Sequence, residues 1–173
     1  MNRPLPDEYP EYYAQYINLV KDGNIIEILS GQSEYFREIL SSIPEEKAGA
    51  SYAFGKWTIK EMVGHLIDNE RLMAVRSLRM ARGDKQRMPG YDQDNYVKAG
   101  QFFKRTLSGL TDELMIVRAS SLILFKTFDE ETLLTRGIVN DVELTVRAIL
   151  YLIAGHEAYH IKFLQENYLQ NHI

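Results

Sequence analysis

All five prolines of this chain, at positions 4, 6, 10, 44 and 89, stand outside every long stretch of regular hydrophobic spacing. Proline lacks a backbone donor and clashes with the preceding turn, so its placement marks where helices cannot run. The segments between are free to form uninterrupted helices. The first helical region spans about Glu11 to Ile43, with a break expected at Asp22-Gly23-Asn24. Its later part places Ile25, Ile28, Leu29, Gln32, Tyr35, Phe36, Ile39 and Leu40 at helical spacing. A second helix begins near Thr58, where Thr58 and Glu61 form a capping-box pattern, and ends about Arg82, before Gly83-Asp84. The stretch GDKQRMPGYDQDNYVKAG reads as loop with a short helical turn. A third helix runs from about Thr106 to Phe128, and Asp129 caps a short helix in DEETLLTRG. The segment IVNDVE is too polar and too short to be read as a strand. The fourth helix runs from near Thr145 to about Leu169. Strand signals are nearly absent. The prediction is an all-α four-helix bundle with an extra short helix and an N-terminal helical segment, in one domain spanning residues 1–173.

Charge and composition narrow the function. The formal net charge is -4 and no block of Lys and Arg stands out, so nucleic-acid binding has little electrostatic support. The absence of cysteine excludes disulfides, thiolate metal sites and cysteine nucleophiles. The polar, aromatic N-terminus has no apolar signal-peptide core. No apolar run approaches the roughly 20 residues of a membrane helix. The expectation is a soluble cytoplasmic protein with a small-molecule substrate and neither a nucleic-acid nor a membrane partner.

His156 and His160 lie in the string HEAYH, which matches the H-E-x-x-H pattern of zinc proteases. On a helix they differ by about 40° around the axis and ~6 Å along it, so both can reach one ion. Ile149, Leu152, Ile153, Tyr159 and Phe163 share their side, which places the pair on the apolar, inward face. His65 sits likewise among Thr58, Met62, Asn69, Leu72 and Met80. Three of the four histidines are thus expected to face one core; His172, near the C-terminus, is expected to fray. An i,i+4 pair alone is evenly divided between a metal site and a structural role. Three inward imidazoles on two helices favour a metal, because burying them without partners is costly. The proteases usually draw their third ligand from downstream. Here only Glu166 and His172 follow as metal-binding side chains, and no sheet is available to hold a peptide. The protease reading is rejected, and the third ligand is expected upstream, at His65. Glu157 is either the residue that activates a metal-bound water or a solvated or supporting carboxylate.

The stretches FGKWTIKEMVGHLIDNERLMAVRSLRMARGD, PGYDQDNY and VRAILYLIAGHEAYHIKFLQENY resemble the DinB-like superfamily, which includes the YfiT-like metal-dependent hydrolases. The resemblance runs from about Phe36 to Tyr168. It implies a four-helix bundle, commonly a homodimer, and a divalent metal, often zinc or nickel, held by three histidines. Carried over residue by residue, these ligands are His65, His156 and His160. Relatives include transferases and isomerases that use low-molecular-weight thiols, and others classed as hydrolases. The resemblance therefore implies fold and metal more firmly than reaction.

The remaining candidates are catalytic or substrate-binding. Asp68, three residues after His65, either orients a ligand or is a rim carboxylate paired with Arg71 or Arg76. Asn69 shares the histidine face and either contacts the pocket or satisfies a core polar group. Asp92 or Asp94 either caps the next turn or lines the pocket mouth with Tyr91 and Tyr96. Arg76, Arg79 and Arg82 either bind an anionic substrate or form a solvated basic face. Tyr159, beside His160, is a further substrate-binding candidate. Both site helices carry a second apolar side: Val63, Ile67, Ala74 and Leu78 on one, and Leu150, Ala154, Ala158 and Ile161 on the other. The surplus suggests a subunit interface; the alternatives are a central helix or cover by the N-terminal segment. Three functions compete: a metal-dependent hydrolase or thiol transferase, a non-catalytic metal or small-ligand binding or stress-response module, and a structural dimer.

Overall fold

Each long helix begins where the sequence supplies a side-chain acceptor for its first free N–H groups. Asn24, Thr58, Thr106 and Thr145 cap, in turn, α2 (Ile25–Ser41), α4 (Ile59–Ala81), α6 (Leu107–Phe125) and α8 (Val146–Leu164). The expected capping box is present: the Thr58 hydroxyl accepts from Glu61 N–H, and the Glu61 carboxylate accepts from Thr58 N–H at 2.7 Å. Short helices α1 (Ala14–Ile17), α3 (Glu45–Ala48), α5 (Gln93–Gly100) and α7 (Glu130–Leu133) fill the connections. This computed structural model describes residues 2–169. His172 lies outside them.

The four long helices form an all-α bundle with a particular ring order. α2 packs on α6 and α8, and α4 packs on the same two. Helices consecutive in the chain, α2 with α4 and α6 with α8, therefore lie on diagonals. The connections 42–58, 82–106 and 126–145 are long enough to cross the bundle ends, as this arrangement requires.

The last connection corrects the sequence reading. Arg136–Val139 (β1) and Val142–Thr145 (β2) pair as an antiparallel hairpin. Its turn residues, Asn140 and Asp141, have φ of 50° and 62°, the left-handed pair that suits a two-residue hairpin loop. Asn and Asp tolerate that conformation, which was the missed signal. Backbone bonds from Met88 N–H to Ile138 O and from Asn140 N–H to Met88 O tie the 84–92 loop to the hairpin, both at 2.9 Å. α5 is also longer than the single turn expected.

The second apolar sides of α4 and α8 are largely covered within the chain. Val63, Ile67, Leu150 and Ala154 are fully buried, and Ile161 is nearly so. Phe102 rests on Gly64, where a Cβ would come within 2.3 Å of its ring. The N-terminal segment lies on α8 so closely that a Cβ on Gly155 would meet the Tyr16 carbonyl at 2.2 Å. Most of this surplus apolar surface thus packs inside the chain, as the central-helix and N-terminal-cover alternatives describe, while Ala74, Leu78 and Ala158 stay partly exposed. Glu8 fastens the segment, accepting from Arg147 Nε at 3.0 Å and from the Thr145 hydroxyl at 2.8 Å.

A buried polar layer joins all four long helices. Arg118 of α6 donates to Glu70 of α4 at 2.8 and 2.9 Å, to Glu157 of α8 at 2.7 Å, and to the Leu29 carbonyl of α2 at 2.8 Å. Its side chain is only 2% exposed. The apolar core divides around this level. Ile25, Leu29, Met80, Phe125 and residues 148–154 pack on one side, and Phe36, Leu40, Met62, Leu66, Leu110, Leu114 and Ile161 on the other. Burial alone would lower the Arg118 pKa, but the two carboxylates, Glu157 foremost, outweigh it and raise it.

Arg118→Met leaves two carboxylates buried without their cation and is expected to cost about 3–5 kcal/mol in urea denaturation. A loss under ~1 kcal/mol would mean that the layer does not hold the bundle together. Gly155→Ala is expected to displace the N-terminal segment, read as faster proteolysis between Tyr9 and Lys21. Unchanged cleavage would contradict the close approach.

Candidate metal centre

His65 is on α4, one face-turn from Asn69; His156 and His160 are on adjacent turns of α8. Because α4 packs on α8, the three imidazoles meet. The Nε2 atoms of His65 and His160 each lie 3.2 Å from Nε2 of His156, and one ligand nitrogen from each ring falls within 4.8 Å of the others. Two tests bear on whether a metal fits. For zinc–nitrogen bonds of about 2.0–2.1 Å, the edge of a tetrahedron is about 3.3 Å, close to both contacts. Hydrogen bonding, by contrast, cannot serve both. His156 Nε2 carries one proton or one lone pair, yet it faces two nitrogens. One shared ion meets all three, so the donor set fits a divalent metal.

His156 is further fixed through Nδ1, 3.2 Å from the Asn69 amide, while the Tyr91 hydroxyl bonds the other end of that amide at 3.1 Å. Which end of Asn69 faces the ring is an assignment from the bonding pattern. As placed, Nδ2 faces the ring and Oδ1 accepts from the Tyr91 hydroxyl; with Nε2 on a metal, Nδ1 would keep its proton and the amide would turn to accept it through Oδ1. His160 Nδ1 is buried without a hydrogen-bond partner among the described residues. Trp57 packs against His65, with ring centres 4.9 Å apart, and Tyr16 meets His156 edge-on at 5.7 Å.

Two cavities open beside the cluster. The larger, about 430 Å³, includes His156 and His160 among aromatic walls of Tyr16, Trp57, Tyr159 and Phe163, with Asp94 at its edge. The smaller, about 200 Å³, includes His65 and His156 and extends past Asn69 to Tyr91, Arg76 and Asn140.

The predicted site residues separate accordingly. His65, His156, His160, Asn69, Arg76 and Tyr159 come together around the cavities. Glu157 does not serve the site as the H-E-x-x-H pattern suggested. It is 3% exposed and held by Arg118 in the polar layer. Burial pushes its carboxyl up, Arg118 opposes this, and Glu70 adds to it. Asp68 lies 3.9 Å from Arg71 and, among the described residues, forms no ion pair with Arg76, and so takes the rim role. Asp92 caps α5, accepting from Asn95 N–H at 3.0 Å. Its neighbour Asp94 is the acid that reaches a cavity wall. Sequence reasoning missed Tyr16 and Asn140, whose places depend on docking of the N-terminal segment and the hairpin.

A family model described as the DinB superfamily matches residues 28–164. The chain belongs to the DinB superfamily. Among solved structures of this superfamily's fold, one titled "YfiT from Bacillus subtilis is a probable metal-dependent hydrolase with an unusual four-helix bundle topology" aligns with TM-score 0.70 and 17% identity, over 94% of this chain and 91% of that one. A mycothiol-dependent maleylpyruvate isomerase aligns with TM-score 0.66 and 11% identity, over 80% of this chain and 58% of that one. At these identities the likeness shows the shared fold. No curated protein sequence matches. Among the described residues, no helix is long and apolar enough to cross a membrane.

Burial lowers all three imidazole pKa values. His65 falls to about 4, with Asp94 pulling the other way; His160 falls to about 3, with His65 adding to the effect; His156 is well below the ordinary value, with His160 and His65 adding. The rings are neutral at pH 7, the form that binds metal. The unfolded chain, with values near 6.5, binds more protons between those limits. This contribution to stability is whole above about pH 6.5 and is lost progressively as the pH falls through about 4 and on toward about 3. The urea midpoint of chelator-treated protein is expected to drop over that window, and less steeply in His65→Gln. A flat profile would show that the rings are not held neutral.

Proposed function

We propose that this protein is a divalent-metal-dependent enzyme acting on a small molecule, with His65, His156 and His160 as ligands and hydrolysis or low-molecular-weight-thiol transfer as its reaction. The observation that supports it is the convergence of three neutral ring nitrogens at tetrahedral-edge spacing beside two cavities. Three protein ligands leave coordination positions open, the count of catalytic rather than closed structural sites. A zinc or nickel ion held there supplies a Lewis acid and lowers the pKa of a bound water or thiol.

The chain's own residues do the rest. Asn69, braced by Tyr91, orients His156. Asp94 is the carboxylate on the larger cavity's wall that can take or return a proton. Tyr16, Trp57, Tyr159 and Phe163 exclude water and offer aromatic surface to an apolar substrate part. The stated nature of YfiT supports the metal, and that of the mycothiol-dependent isomerase supports the thiol branch. The same reading takes the protein to be a cytoplasmic homodimer. Ile116 and Ile123 project from α6 two turns apart, and Val75 from α4, leaving exposed apolar surface that a second copy would cover.

Elemental mass spectrometry of untagged protein is expected to find about one zinc or nickel per chain, and none in the triple His65, His156, His160 to Ala variant. Chelation is expected to lower the Tm of the wild type alone. Metal-loaded protein should then turn over substrates in hydrolase or thiol-conjugation screens, with activity abolished by His160→Ala. Absence of metal in both proteins, with none taken up on incubation, would refute the site. Tight ligand binding without turnover would favour a binding module.

A further inference from the structure

Arg76 is a buried cation without an acid. It is 7% exposed, and among the described residues it forms no ion pair. Its Nη2 donates to the Pro89 carbonyl at 2.6 Å and its Nη1 to Met73 Sδ at 3.7 Å. A guanidinium has five N–H donors, so these two bonds leave three without a partner among the described residues, free to meet whatever enters the cavity. The guanidinium lies 5.9 Å above the Tyr91 ring. The bond to Pro89 holds the loop to α4, but loop anchoring alone does not account for a buried charge without a counter-ion, which is costly. Burial presses on this charge and lowers its pKa, with only the phenols of Tyr91, Tyr13 and Tyr96 acting the other way.

Arg76 borders the smaller cavity, which also contains His65 and His156. It sits eleven residues after His65 on the same face of α4, ~16 Å along the axis. Both residues border one cavity, so a ligand lying along it can meet the guanidinium at one end and the histidines at the other. Tyr91 links the two ends: it lies under Arg76 and bonds Asn69, which contacts His156.

We infer that Arg76 is a substrate-binding residue that receives a carboxylate, and that the substrate is a carboxylate-bearing small molecule whose reacting centre lies several bonds away, at the histidine cluster. One unpaired positive charge matches a monoanion. No second Lys or Arg lines the cavity to neutralise a phosphate dianion. The reacting end rests on the metal-dependent reading above; the carboxylate end does not.

The test is calorimetric titration with phenylalkanoates of increasing chain length and their primary amides, chosen because a phenyl tail suits the aromatic cavity. Wild-type protein, Arg76→Gln and Arg76→Lys are compared, each metal-loaded and chelator-treated, with Tm and metal content as controls. The expected result is saturable binding of one or more phenylalkanoates by the wild type. Affinity is expected to fall at least about tenfold for the amide and in Arg76→Gln, with partial retention in Arg76→Lys. The acid-versus-amide comparison on wild type holds even where a variant misfolds. Equal affinity for acid and amide, unchanged affinity in Arg76→Gln, or no binding by any member overturns the proposal. So does binding that disappears on chelation yet ignores Arg76→Gln, because the carboxylate then sits on the metal. Arg76-dependent binding in protein that takes up no metal supports the carboxylate site while refuting the metal reading.

Discussion

The bundle depends on Arg118. A single guanidinium draws a carboxylate from α4, a carboxylate from α8 and a backbone carbonyl from α2 to one point on α6. Two apolar half-cores pack against this level from opposite sides. Apolar packing is tolerant of small slides between helices, whereas a buried charge network is not, because each lost bond strands a desolvated group. The layer therefore acts as a register mark. It sets how far α8 is advanced along α4, and that advance decides whether His156 meets His65. Glu157 adjoins His156 in sequence but belongs to this mark: it is turned about 100° from His156 around the helix, toward Arg118.

The site is assembled from pieces far apart in the chain. α4 and α8 bring the imidazoles. The N-terminal segment brings Tyr16 against His156, seated by Gly155 and locked by Glu8 on Arg147. The hairpin and the 84–92 loop, bonded to each other, close the smaller cavity around Arg76. The walls thus differ in kind: rigid helices hold the histidines, while loops and the N-terminal strap shape what can enter, the usual division between scaffold and specificity. The two solved structures that share this fold carry different descriptions, one a probable metal-dependent hydrolase and one a mycothiol-dependent isomerase. The fold accordingly fixes the place for chemistry, and the lining side chains select it.

The sequence by itself determined the helices and the three inward histidines. Proline placement, caps at Thr58 and Asp129, and inward spacing of His65, His156 and His160 are local properties, set by a few neighbouring residues and the 100° turn of a helix. The hairpin escaped notice because four-residue strands carry little periodic signal, and its Asn-Asp turn is a weaker mark than Asn-Gly. Tertiary structure alone decided which polar residues serve the site. Glu157, Asp68 and Asp94 are all carboxylates near a histidine in sequence or in the adjoining loop. Arg118 holds the first, Arg71 lies near the second, and only the third reaches a cavity. It also decided that the second apolar faces of α4 and α8 are largely covered from within, and that Arg76 is buried without a counter-ion. Each of these depends on the helix, loop or strap that packs opposite, and long-range packing leaves no local trace in the chain.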